Sequence, residues 1–309
     1  KIIINTLYIP ISLFLENCKF IKKTLIHIYL TLFLCNTICH TNEFINESRL
    51  IYLLYIDKSN GSISMDVNFY VTCIGDALKS QMARDSVLLL EKLGCRVHFL
   101  EKQGCCGQPA INSGYIKDAI PAMKNLIKTF EVNDYPIISP AGSCSFAIKS
   151  YAKYLVNEPD WAIRAEKIAN RMFDLTSFIV NQLNIVDVGA SLKGKAVYHP
   201  SCSLFRKMGV KEEPLTLLRH VKGLELLPFD NMETCCGFGG TFSVKMAEIS
   251  GEMVKEKVHH IMDVHPDYLI GADVSCLLNI GGRLEREGRP VKVMHIAQVL
   301  MSNEEELCH

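Results

Sequence analysis

The chain has 309 residues, enough for one large domain or two of ordinary size and for a sizeable core. Hydrophobic residues make up 49% and charged residues 21%, which excludes a disordered polar chain. Lys+Arg and Asp+Glu both number 33, so the zero net charge gives no electrostatic footprint for nucleic acid and makes a membrane partner unexpected.

Residues 1–64 stand apart, being rich in Ile, Leu, Asn and Thr, without a steady period and without Gly before Gly61. The run from Thr24 to Cys39 lacks Asp, Glu, Lys and Arg, but is shorter than the roughly 20 residues of a spanning helix. The first Met is Met65, and a regular strand pattern starts there. Residues 1–64 therefore read as an unrelated extension, with a membrane anchor as the alternative. Cys18, Cys35 and Cys39 fall in it without a metal-site spacing.

From Met65 onward strands and helices alternate. Val67–Thr72 predicts a strand that ends at Cys73, and Leu78–Leu93 a helix closed by Gly94. Arg96–Leu100 predicts a second strand, leading into Cys105-Cys106-Gly107. A helix over Tyr115–Phe130 and a strand over Pro136–Ser139 follow, then Cys144 and a helix to about Asn157. Asp160–Leu183 reads as one long helix with Asp160 as N-cap.

After a polar link near 187–194 the plan repeats. Strands are predicted at Ala196–His199, Leu224–Pro228, Tyr268–Ile270 and Val291–Met294. Helices are predicted at Glu212–His220, Thr241–Met262 and up to Arg286, with a closing helix at the end. Alternating strands and helices imply parallel sheets covered on both faces. The expected fold is α/β: two tandem pseudo-equivalent open-sheet units, 65–190 and 191–309, plus the N-terminal extension at 1–64.

Eight of the thirteen cysteines repeat in register. Cys73, Cys105, Cys106 and Cys144 match Cys202, Cys235, Cys236 and Cys276 at offsets of 129, 130, 130 and 132 residues. That is the mark of a duplicated unit. Each cysteine follows a predicted strand, and open α/β sheets place ligands at the carboxyl ends of their strands. Three loops of each unit can therefore deliver four thiols to one place. Gly107 and Gly237 allow sharp turns beside them. Four thiolates are the usual ligand count of an iron–sulfur cluster. Zinc also takes four, though its structural sites draw on short Cys-x-x-Cys pairs that are missing here. The eight cysteines are the candidate cofactor and metal ligands, with up to two clusters (4Fe–4S) as the first expectation and zinc as the rival.

Other features carry less. Buried free cysteines acting as small hydrophobes account for Cys95 and Cys308. His199 stands three residues before Cys202, as a donor to a cluster sulfur or a plain structural histidine. Arg206 and Arg283 lie just past cluster cysteines, as partial counter-charges or simply exposed groups. Trp161 reads as core, and His259, His260 and His265 as a solvated face. Neither a dinucleotide fingerprint nor a Walker loop is present, so nucleotide binding is unsupported, and no residue is assigned as catalytic.

The stretches Phe69-Tyr-Val-Thr-Cys73, Gly104-Cys-Cys-Gly-Gln-Pro-Ala-Ile-Asn-Ser-Gly114, Pro140-Ala-Gly-Ser-Cys144, Tyr198-His-Pro-Ser-Cys202, Glu233-Thr-Cys-Cys-Gly-Phe-Gly-Gly-Thr-Phe242 and Ser275-Cys-Leu-Leu-Asn-Ile-Gly-Gly-Arg283 resemble the Cys-Cys-Gly-domain iron–sulfur proteins, above all the lactate utilisation A family. The heterodisulfide reductases, through their cysteine-rich B chain, and the iron–sulfur chain of glycolate oxidase are related. The resemblance implies a cytoplasmic electron-transfer subunit, working with lactate utilisation proteins B and C in a complex that oxidises L-lactate, a small 2-hydroxy acid, to pyruvate. Cluster-based disulfide reduction and a zinc-stabilised scaffold are the alternatives. Ala141 and Asp273 stand where the disulfide-reducing relatives carry a fifth cysteine, and Ser203 where many lactate proteins carry His.

Overall fold

The structure, a computed structural model, describes residues 65–303. The extension at 1–64 with its three cysteines, and Cys308, lie outside the described residues. Among the described residues no helix is long and apolar enough to cross a membrane.

The first half builds a four-stranded parallel sheet from β1 (Met65–Phe69), β2 (Cys95–His98), β3 (Ile137–Ser139) and β4 (Met172–Asp174), in the order β2-β1-β3-β4. The second uses β5 (Ser191–His199), β6 (Lys222–Leu226), β7 (Tyr268–Gly271) and β8 (Lys292–His295), in the order β6-β5-β7-β8. The two orders are the same. In each, the first and third strands are central and adjacent, so the loops that leave them emerge side by side.

The helices of the first half are α1 (Cys73–Leu78), α2 (Ser80–Lys92), α3 (Gln108–Asn112), α4 (Ile116–Phe130), α5 (Gly142–Lys149), α6 (Pro159–Asn170) and α7 (Leu175–Asn181). The second half has a π-helical turn at Ser203–Met208, then α8 (Glu212–Arg219), α9 (Phe242–Lys245), α10 (Ala247–Met262), α11 (Val274–Arg286) and α12 (Ile296–Leu300).

Side-chain alternation along the strands splits the apolar residues into three cores. Ile138, Ala196, Tyr198 and Ile270 point into one core shared by both sheets. Their neighbours point outward. Ile137 packs with residues of α4, α5 and α6, and Val197 and Leu269 pack with residues of α10 and α11. Both faces of each sheet are thus covered, as parallel sheets require. The shared core also holds a reciprocal exchange. Helix α7, from the first half, packs on α8, and α12, from the second, packs on α2. Each half is completed by the other's last helix.

Three expectations need correction. Asp160–Leu183 is not one helix; Met172–Asp174 forms an edge strand between α6 and α7. The cause lies in Asp174, whose carboxylate accepts the backbone N–H groups of Thr176 and Ser177 at 2.9 and 3.3 Å and caps a new helix. Asp160 lies in the first turn of α6 rather than at its cap, because Pro159 opens that helix and Glu158 holds the cap position. Trp161 is half-buried under cations, with Arg164 3.8 Å from its ring centre.

Candidate metal centres

The eight cysteines meet in two groups of four. In the first, Cys73 follows β1 and opens α1, Cys105 and Cys106 lie in the loop after β2, and Cys144 sits in the first turn of α5 after β3. Cys73 Sγ lies 3.7 Å from Cys105 Sγ, and Cys106 Sγ lies 3.6 Å from Cys144 Sγ. Cys105 also contacts Cys106, so the sulfurs form one chain, 73–105–106–144. The second group repeats it as 202–235–236–276. The cysteine spacing was enough to foresee both groups.

The chain geometry around each tandem pair follows from small features. Gly107 adopts φ +78° and Gly237 φ +84°, in the left-handed region that favours glycine. Close packing reinforces this at Gly237, where an added Cβ would lie 2.9 Å from the Ser250 carbonyl oxygen. The Cys106 carbonyl accepts from the Tyr151 hydroxyl at 2.8 Å, and the Cys236 carbonyl accepts from the Asn279 amide at 2.7 Å. In the first group Gln103 locks the loop to β1, donating to Phe69 O at 2.7 Å and accepting from Val71 N at 3.1 Å.

Contacts between neighbouring thiols, and then burial, set the acidity of Cys106, Cys236 and Cys202. Cys106 accepts from Cys105, which lowers it, but Cys144 and full burial prevail and hold it well above the ordinary thiol range. Cys236 behaves in the same way, between Cys235 and Cys276. Contact with Cys235 and burial raise Cys202. Thiols bind metal as thiolates, so a metal held here would displace their protons. Soft, crowded sulfur donors at helix starts fit a thiolate-held metal or cluster. By contrast, Cys95 lies apart in the shared core, raised to about 11 by burial.

The two groups are neighbours. The backbone N–H of Ser143, next to Cys144, donates to Asp273 Oδ2 at 2.8 Å, and Asp273 caps the helix that carries Cys276. Ser113 Oγ and Thr241 Oγ1, just beyond the two tandem motifs, lie 2.5 Å apart. Asp273, three residues before Cys276, therefore ties the halves together. Tandem spacing alone carries no signal of that adjacency.

A family profile described as "Cysteine-rich domain", with the short name CCG, matches residues 67–149 and 196–281. The lactate utilization protein A of Anoxybacillus flavithermus is 54% identical, over 76% of this chain and 99% of its own length. The chain belongs to this cysteine-rich family, and within it to the lactate utilization protein A group. The uncharacterized protein YkgE of Escherichia coli K12 is 79% identical over 77% of this chain and the whole of its own length. A hypothetical protein from Helicobacter pylori shares the fold at a TM-score of 0.57 and 13% identity, covering 88% of this chain; the chain spans 57% of that structure's length.

The cysteine-rich halves differ behind their thiols. Tyr70, one strand end before the first group, is buried and donates to Gly104 O at 2.9 Å. Its counterpart before the second group is His199, 1% exposed, with neither ring nitrogen hydrogen-bonded. One ring nitrogen lies within 4.8 Å of both Cys236 Sγ and Cys276 Sγ. Burial, and then the charge of Lys257, lowers His199 to about 3, so the ring is neutral. Two unpaired ring nitrogens cost about 1–3 kcal/mol each in the bare protein. Lys257 is also buried, donating to the carbonyls of Asn231 and Met232 at 2.6 and 3.1 Å, and burial lowers it to about 8. Leu126 stands on the matching turn of α4. Sequence reading missed Lys257; a lone lysine inside the apolar spacing of α10 was the available sign.

The remaining candidates fall away from the thiols. Arg283 pairs with Glu287 at 2.5 Å, and Arg206 donates to the Glu233 carbonyl at 2.6 Å, two residues before Cys235. His259 is exposed, whereas His260 is largely covered and contacts Asn231 at 3.0 Å.

Proposed function

We propose that this chain is an iron–sulfur electron-transfer subunit that serves the oxidation of L-lactate to pyruvate, with the eight cysteines as ligands in two units, 65–190 and 191–309. One observation carries the reading: four thiols gather at equivalent strand ends twice over, and the two gatherings adjoin. The lactate utilization proteins named above supply the substrate class. The lactate utilisation B and C proteins are the proposed partners, and the cytoplasm the proposed compartment.

An iron–sulfur cluster, when bound, accepts and returns one electron at a time. Oxidation of a 2-hydroxy acid to a 2-oxo acid releases two electrons and two protons, and two sites in one chain match that electron pair. The partner complex supplies the dehydrogenating centre and the final oxidant. Within this chain the tandem loops hold ligands, and the Ser143–Asp273 bridge keeps the sites adjacent.

A second reading has its own support. A tetrahedral zinc ion with bonds of about 2.3 Å spaces its sulfurs about 3.8 Å apart, close to the 3.6–3.7 Å contacts in the first group. In that case the chain is a zinc-stabilised scaffold for partner proteins. Anaerobic purification followed by EPR after dithionite reduction separates the two. The electron-carrier reading predicts a coloured protein with cluster signals that L-lactate also elicits once the partners are added. A colourless, iron-free, EPR-silent protein contradicts it.

A further inference from the structure

We propose that the His199 imidazole is a fifth ligand of the second thiol site, on the metal atom nearest Cys236 and Cys276, and that the first site has no such nitrogen. This rests on the reading that the thiols hold metal; it adds the residue that makes the two sites unequal. Three observations carry it. His199 is 1% exposed, yet neither of its nitrogens has a hydrogen-bond partner, and the same is true of only one other side-chain atom among the described residues, the Tyr198 hydroxyl. Its ring nitrogen and the sulfurs of Cys236 and Cys276 all lie within 4.8 Å of one another, and of the described residues only these three form such a group. The imidazole nonetheless makes no hydrogen bond to either sulfur. A metal between them accounts for this arrangement, since a metal–nitrogen bond of about 2.0 Å and a metal–sulfur bond of about 2.3 Å span that gap with modest closure.

The comparison with the first site sharpens the inference. Tyr70 directly follows β1 and His199 ends β5, and Cys73 and Cys202 follow each by three residues. Tyr70 spends its hydroxyl on the Gly104 carbonyl, so its polar atom is satisfied within the protein. His199 has no such outlet, because Lys257, the buried cation acting on it, is a donor already committed to two carbonyls. A neutral nitrogen ligand added at one site and absent from the other makes their reduction potentials unequal. The two sites are thus electronically distinct, and His199 is what distinguishes them.

The test uses the full chain, purified anaerobically, with 15N-labelled histidine. Pulsed EPR of the reduced protein is expected to give a strong imidazole nitrogen coupling on one of two metal signals. His199→Phe removes that coupling and shifts that signal's midpoint potential by at least about 60 mV, a tenfold change in a one-electron equilibrium. Cys106→Ala, which leaves the second site alone, retains the coupling, and Cys236→Ala abolishes it; this pair decides the matter if His199→Phe does not fold. If the protein takes zinc rather than iron, the electron-carrier reading fails, and the same measurement on cobalt(II)-loaded protein still decides the role of His199. With either metal, absence of a strong nitrogen coupling, or its survival in His199→Phe, overturns the inference.

Discussion

The two thiol sites share a scaffold and differ in what stands behind it. Strand order, tandem cysteines, left-handed glycines and the sulfur sequence are the same in both. Behind the first site stand Tyr70 and Leu126, one sealed by a carbonyl and the other apolar. Behind the second stand His199 and Lys257, a bare imidazole and a buried ammonium. Both halves therefore keep the thiol geometry, while single matching positions change the electrostatics around it. A buried cation stabilises added negative charge, so under the proposed function Lys257 favours reduction at the second site.

The largest effect that tests this comparison is loss of one site alone. Cys236→Ala is expected to remove the second site's metal signal and spare the first, and Cys106→Ala to do the reverse. Loss of both signals from either variant, read by EPR, would mean that the halves share one centre.

Next in size is acid sensitivity, because the equivalent ends of β4 and β8 carry opposite groups. His295 is buried, with Nε2 2.8 Å from Pro140 O, and burial lowers it to about 4. The unfolded chain binds this proton first, with a histidine value near 6.5, so the contribution of His295 is complete above that pH. It is lost as pH falls toward 4, by about 3 kcal/mol in all. Asp174, buried at the end of β4, is raised by burial and behaves oppositely, its native state taking up the proton more readily than the unfolded chain. His295→Asn should flatten the acid limb of a urea-denaturation series between pH 6.5 and 4; an unchanged limb would contradict this.

Backbone substitutions should also separate the halves. Gly107→Ala places a Cβ in the left-handed region, 3.3 Å from the Ala119 Cβ, for a cost of about 1–2 kcal/mol. Gly237→Ala adds the 2.9 Å clash with a backbone oxygen and should shift the urea midpoint further. The smallest effect is at the bridge. Asp273→Ala removes the Ser143 and Ser275 N–H acceptors and should cost about 1–2 kcal/mol, whereas Ala141, its counterpart, has no such bond to lose.

Most of the fold and both thiol groups were legible in the chain, for a physical reason. Strand ends fix where loops emerge, so a cysteine repeated after each strand has only one place to go. Strand β4 escaped because three residues carry no period of their own and Asp174 caps the helix beyond; the matching strand Lys292–His295 would have located it. The contact between the halves escaped for another reason. Ser143–Asp273 and Ser113–Thr241 join residues 130 and 128 positions apart, and no local pattern records such pairs. Lys257 was overlooked because it follows Lys255 and Glu256 in α10 and looks like part of a charged surface until packing is known.

The most direct test of the account is iron and acid-labile sulfide measured together on the anaerobically purified full chain. The account predicts iron and sulfide in equal amounts, each falling to about half in Cys106→Ala and in Cys236→Ala. About one zinc per site, with neither iron nor labile sulfide, would contradict it.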